Sequence, residues 1–104
     1  MTTVVAYVPD LMDRSKLAAA APDVTFVGRP AALVPAASEA EVVVVDLDRP
    51  GVLDVLADVV ATGARVVGFA AHVDASTLEA ATARGCQAMP RSRFFRSLGE
   101  LLTP

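Results

Sequence analysis

Three short runs dense in β-branched residues constrain this chain more than anything else in it: Thr3–Val8 (TVVAYV), Glu41–Asp46 (EVVVVD) and Arg65–Ala71 (RVVGFAA). None alternates apolar with polar residues, as a strand with one wet face would. Continuous apolar runs of this length are strands buried on both faces, the pattern of a parallel sheet covered by helices on either side. Parallel neighbours need a crossover between them, and the crossover is right-handed. The fold class expected is therefore α/β and doubly wound.

The intervening segments fill in that frame. Leu11 to Ala21 holds good helix formers and stops at Pro22, and Asp23 to Gly28 (DVTFVG) reads as a second, shorter strand. In Arg29 to Ala40, Pro30 can open a helix and Pro35 would break it, so a truncated helix or an irregular loop is expected. Pro50 and Gly51 precede a helix with Val52, Val55, Leu56, Val59 and Val60 on one face, closed by Gly63. Ser76-Thr77-Leu78-Glu79 has the spacing of a capping box, with Asp74 as a rival cap, and its helix runs to Arg84 and Gly85. Gln87 to Pro90 is a short fifth strand. Ser92 is positioned to cap a last helix that buries Phe94 or Phe95 with Leu98 and Leu101 or Leu102. Five strand-and-helix units make one domain over residues 1–104, with no internal repeat or linker.

Composition enters through what it excludes. With 54% hydrophobic and 20% charged residues, the 104-residue chain can pack a core of one domain but not two. Its net charge is −3, Lys16 is its only lysine, and it has no Trp, which argues against tracking a nucleic-acid backbone. Cys86 stands alone and forms no intramolecular disulfide. Asp, Arg or Pro interrupts every apolar stretch before it could span a bilayer. Met1-Thr2-Thr3 lacks the basic start of a secretory signal, so a soluble, cytoplasmic protein with no membrane contact is expected.

The order of these pieces, together with Asp46-Leu47-Asp48-Arg49-Pro50, resembles the receiver domain of bacterial response regulators over nearly the whole chain. The resemblance implies a flavodoxin-like five-stranded sheet of order 2-1-3-4-5, with its site at the carboxyl ends of the strands. Receivers place a phosphate-accepting Asp at the end of strand three, often with Pro four residues on, and Asp46 falls there. They carry two acids after strand one; here Pro9 replaces the first and Asp10 keeps the second. Where they have Thr or Ser at the end of strand four, this chain has Ala70. Their Lys before a Pro at the end of strand five falls, counted from Gly85, on Ser92.

Phosphoryl transfer needs a metal and a cation to neutralise charge on the transferring oxygens, and a phosphorylation switch needs groups that gain contacts only in the modified state. With those parts missing, the resemblance implies a degenerate receiver. Such a domain is a stand-alone, phosphorylation-independent regulatory or protein-interaction module and not an enzyme. It has no cofactor beyond a weak Mg²⁺, and binds a protein partner or a second copy of itself. The alternative is a residual phosphoacceptor, or a small-ligand or Mg²⁺-binding signalling domain, that uses Asp46.

Candidate residues follow. Asp10, Asp46 and Asp48 could gather as a weak cation site, although helix capping is the commoner job for Asp10 and Asp46 at strand-to-helix turns. His72, just after strand four, borders the same pocket as a pH sensor, a metal ligand or a plain surface residue. Arg91 is close enough in sequence to the lost Lys position to act as a substitute cation pairing permanently with Asp46. Arg91, Arg93, Phe94, Phe95 and Arg96 form the candidate partner-binding cluster, since aromatic residues beside Arg are typical of interaction hot spots; the alternatives are a plain exposed basic turn and a second Phe lying in a groove against the neighbouring helix. The first loop, Val8 to Asp13, is acidic and lacks Gly, so it would repel a nucleotide or flavin phosphate.

Overall fold

In the computed structural model, which describes residues 3–103, the β-branched runs stack side by side as a parallel sheet. Met1 and Thr2, where the argument against a leader begins, and Pro104 lie outside the described residues. The strands are β1 (Val4–Tyr7), β2 (Thr25–Phe26), β3 (Val42–Asp46), β4 (Arg65–Ala70) and β5 (Gln87–Pro90), in the order β2-β1-β3-β4-β5. This is the expected flavodoxin-like topology. The register pairs Val44 with Ala6 on one side and with Val67 on the other, so β3 lies at the centre of the sheet.

Alternation along each strand sorts its side chains into two cores. Val5, Tyr7, Val43, Val45 and Val66 face one side, where they meet Leu33 of α2 (Leu33–Ala37), Leu56 and Val59 of α3 (Val52–Ala61), and Ala81 of α4 (Ala75–Ala83). Val4, Ala6, Val42, Val44, Val67 and Phe69 face the other. There they meet Leu17 of α1 (Leu11–Ala20), Phe94 of α5 (Arg91–Arg96) and Leu101 of α6 (Leu98–Leu101). Every residue of β1 and β3 is buried, which is why neither carries an alternating pattern.

Several local expectations need correction. The second strand is only Thr25–Phe26, an edge strand paired with Val5 and Ala6 and not sealed from solvent. Pro35 does not break α2. A 3₁₀ turn (Pro30–Ala32) leads straight into that helix, and Pro35 lies in its first turn, where an N–H has no intrahelical partner to lose. Asp74, not Ser76, occupies the N-cap position of α4, and its side chain makes no capping bond. Ser92 lies inside α5, whose N-cap position is Pro90. The last helix is split: the backbone leaves helical geometry at Ser97 (φ −114°, ψ 18°) and resumes in α6.

Two glycines hold the layers in contact. Gly85 adopts φ +95° after α4, and a Cβ there would come within 2.9 Å of Val60 on α3. A Cβ on Gly68 would stand 2.8 Å from three atoms of Leu47, so the bare backbone of β4 is what lets the loop after β3 settle onto the sheet. Among the described residues, no helix is long and apolar enough to cross a membrane.

Candidate functional site

The carboxyl ends of β1, β3 and β4 bring the acids to one end of the sheet, as parallel topology requires. Asp46 is the last residue of β3 and only 4% exposed. Its Oδ1 accepts from the Asp48 N–H at 3.1 Å and its Oδ2 from Arg49 Nε at 3.2 Å, so both oxygens are engaged within their own loop. Asp48 points elsewhere: its Oδ2 accepts from the Ala71 N–H at 2.9 Å, tying the loop after β3 to the loop after β4. In that second loop, the carboxyl of Asp74 is raised above its ordinary value by a hydrogen bond to Asp48 and by that residue's charge.

Asp10 is the N-cap of α1, its Oδ1 accepting from the Asp13 N–H at 3.0 Å. That amide chiefly holds the Asp10 carboxyl below its ordinary value, with smaller contributions from Arg91 and Arg49. Capping is therefore the job in which Asp10 is seen. Among the described residues, no group of three His, Cys, Asp or Glu is placed to hold a metal ion, and Asp10, Asp46 and Asp48 do not form one. Each of the three carboxylates has turned to a backbone amide instead. His72 is exposed on the loop after β4 and joins no such group.

Arg91 does approach the acidic end, but its partner is not Asp46. Its Nη2 donates to Oδ1 of Asp13 at 2.7 Å, while Arg49 is the cation on Asp46. Asp13 is 3% exposed and was not among the candidates. Its signal was present in the sequence: four residues before the buried Leu17, it shares that residue's helix face and must turn inward. The Arg91 guanidinium also lies 5.1 Å from the Phe69 ring centroid and 5.4 Å from that of Phe95, with Lys16 of α1 over Phe95 at 5.1 Å. The hydrogen bond to Asp13 chiefly holds the guanidinium in its charged form.

The partner-binding cluster divides. Phe94 is fully buried and stacks on Phe69 at 4.8 Å, so it belongs to the core and not to a docking surface. Phe95 is half-buried, 5.1 Å from Phe69 and 5.0 Å edge-on to Phe94. Arg93 and Arg96 are exposed, and among the described residues neither is in an ion pair.

The receiver positions also shift. Strand β5 ends at Pro90, so the residue before that proline is Met89, buried and uncharged, and not Ser92. Ala70, which ends β4, is buried and has no donor in its side chain. Cys86 packs in the core, where burial pushes its thiol up to about 12, so it is no nucleophile at neutral pH.

No family model and no curated protein matches the chain. Among solved structures it is similar to a protein from Burkholderia pseudomallei described as pilus assembly-related, with a TM-score of 0.74 and 18% identity over 96% of this chain and 85% of that one. It is also similar to a de novo designed Rossmann 2x3 fold protein, with a TM-score of 0.72 and 13% identity over 100% of this chain and 97% of that one. At such identities the likeness is one of fold alone.

Proposed function

We propose that this chain is a receiver-like regulatory domain that works without phosphorylation, by contact with a protein partner, and that it is not an enzyme. The observation that carries this is the state of Asp46, whose two carboxylate oxygens are both bonded within its own loop, to the Asp48 amide and to Arg49. A phosphoryl group arriving there would have to displace those bonds. It would then find Ala70 and Met89 where an accepting site needs a hydroxyl and an ammonium. Without groups that bind the modified state better than the unmodified one, modification shifts no equilibrium.

What the domain offers a partner is charge of the opposite sign to its own. Helix α5 carries no acid, in a chain of net charge −3; with Arg91 paired to Asp13, its exposed Arg93 and Arg96 and Lys16 of α1 beside Phe95 are the cations left to a partner. A local field of that kind steers an acidic segment of a protein toward this surface, and a half-exposed aromatic ring supplies the apolar anchor. The partner's chemistry is thus an acidic protein segment.

The reading is tested by incubating the protein with acetyl phosphate and Mg²⁺ and measuring its intact mass. The expected result is an unchanged mass. A phosphoryl increment that maps to Asp46 and disappears in Asp46→Asn would overturn it.

A further inference from the structure

The Asp13–Arg91 pair is not explained by any of the roles above. One member is a buried carboxylate in the first turn of α1 and the other is the guanidinium that opens α5, 78 residues later. A buried charge is tolerated only when paired and hydrogen-bonded, and the 2.7 Å contact meets that condition. The same guanidinium packs against Phe69 of β4 and Phe95 of α5, and Phe95 in turn lies under Lys16 of α1. Two cations therefore cross the seam between α1 and α5 in opposite directions.

Helix α5 needs such fastening. It has six residues, no side-chain cap at its start, and a break at Ser97 at its end. A helix that short holds its shape only through tertiary contacts. Phe94 anchors its underside in the core, but one ring does not fix the rotation or tilt of the helix start.

We infer that Asp13 and Arg91 form a permanent latch that holds the start of α5 against α1, so that the seam bearing Lys16, Phe95 and the exposed Met12 keeps one conformation whatever happens at Asp46. Met12 stands one helical turn before Lys16 and is 73% exposed, which places it on the same stripe of α1. The counter-ions are divided: Arg49, in the same loop, serves Asp46, and Arg91 serves Asp13. Asp46 acts on Arg91 only through its charge, a weaker influence than the Asp13 hydrogen bond, so a change at Asp46 meets a guanidinium already held by Asp13. The inference rests on the protein-contact reading only for what the seam serves; the latch itself is tested without a partner.

The first test uses the wild-type chain and ¹⁵N relaxation of the arginine Nε–H groups. Arg91 should be as rigid as ordered backbone, with an order parameter of about 0.85, while Arg93 and Arg96 fall below about 0.6. Arg91 moving as freely as those two would overturn the latch and leave the docking proposal standing. The second test compares amide hydrogen exchange in Asp13→Asn and Arg91→Lys. Exchange over residues 91–96 should speed up about tenfold in Asp13→Asn and less in Arg91→Lys, with β3 and β4 amides changing less. No change over 91–96, or an equal change throughout the chain, would overturn it. Loss of partner binding in Phe95→Ala with Arg91 still rigid would bear on the docking surface and support a latch that is separate from it.

Discussion

Truncating Phe94 empties a space that no neighbour can refill, since the ring is fully buried and stacked 4.8 Å from Phe69. Phe94→Ala should cost about 3–5 kcal/mol in urea unfolding, whereas Phe95→Ala, at a half-buried ring, should cost about 1–2 kcal/mol. Comparable costs for the two would contradict their assignment to core and surface. Which of the pair faces inward was not legible beforehand. Adjacent residues on a helix point about 100° apart, so the answer depends on how the helix is rotated onto the sheet, and local sequence does not encode that rotation. Asp13 was missed for a different reason. An Asp in a first helical turn is usually a solvated partner of the helix dipole. Here the Leu17 face and a cation from the far end of the chain turn it inward.

The elements carry the site through two loops and a cap. Gly68→Ala would drive a methyl group into Leu47, with a cost of about 1–3 kcal/mol from overpacking. Because Leu47 lies between Asp46 and Asp48, the amides of Asp48 and Ala71 should shift in the same variant. A loss of stability that leaves those two amides unmoved would mean that Gly68 does not position the loop. The cap of α1 has a sign that pH can read. Asp10's carboxyl is lowered in the folded state, so its contribution is present above the unfolded value and is lost as pH falls through the folded one. Asp10→Ala should therefore melt lower than wild type at pH 7, with the difference closing in acid; a difference that persists below the folded value would contradict the capping role. Strands and long helices were legible because β-branched runs and 3.6-residue periodicity leave a strong signal. The cap of α1 at Asp10 was legible, but the choice between Asp74 and Ser76 before α4, the start of α5 and the split at Ser97 were not, because Ser92 and Ser76 satisfy a local pattern that the tertiary packing overrides.

Over the whole molecule, the strand order came from the resemblance to receivers, and the β2-β1-β3-β4-β5 sheet agrees with it; the β-branched runs alone require only parallel neighbours. The acidic end was legible as a location and not as a set of contacts. Parallel strands must bring Asp10, Asp46 and Asp48 to one edge, but which arginine answers which acid depends on loop geometry that spacing does not encode. The molecule that results has an acidic end in which Asp46 and Asp13 are paired with arginines and Asp10 and Asp48 with backbone amides, and a seam of Lys16 and Phe95 that meets that end at Arg91. The claim that the first does not command the second is most directly tested by an amide NMR titration with Mg²⁺, followed by beryllium fluoride as a phosphoryl mimic. The account predicts that the folded protein's spectrum stays still. Saturable shifts at Asp10 and Asp46 that spread to residues 91–96 would contradict it, because they would mean that a phosphoryl-type ligand at Asp46 does move α5.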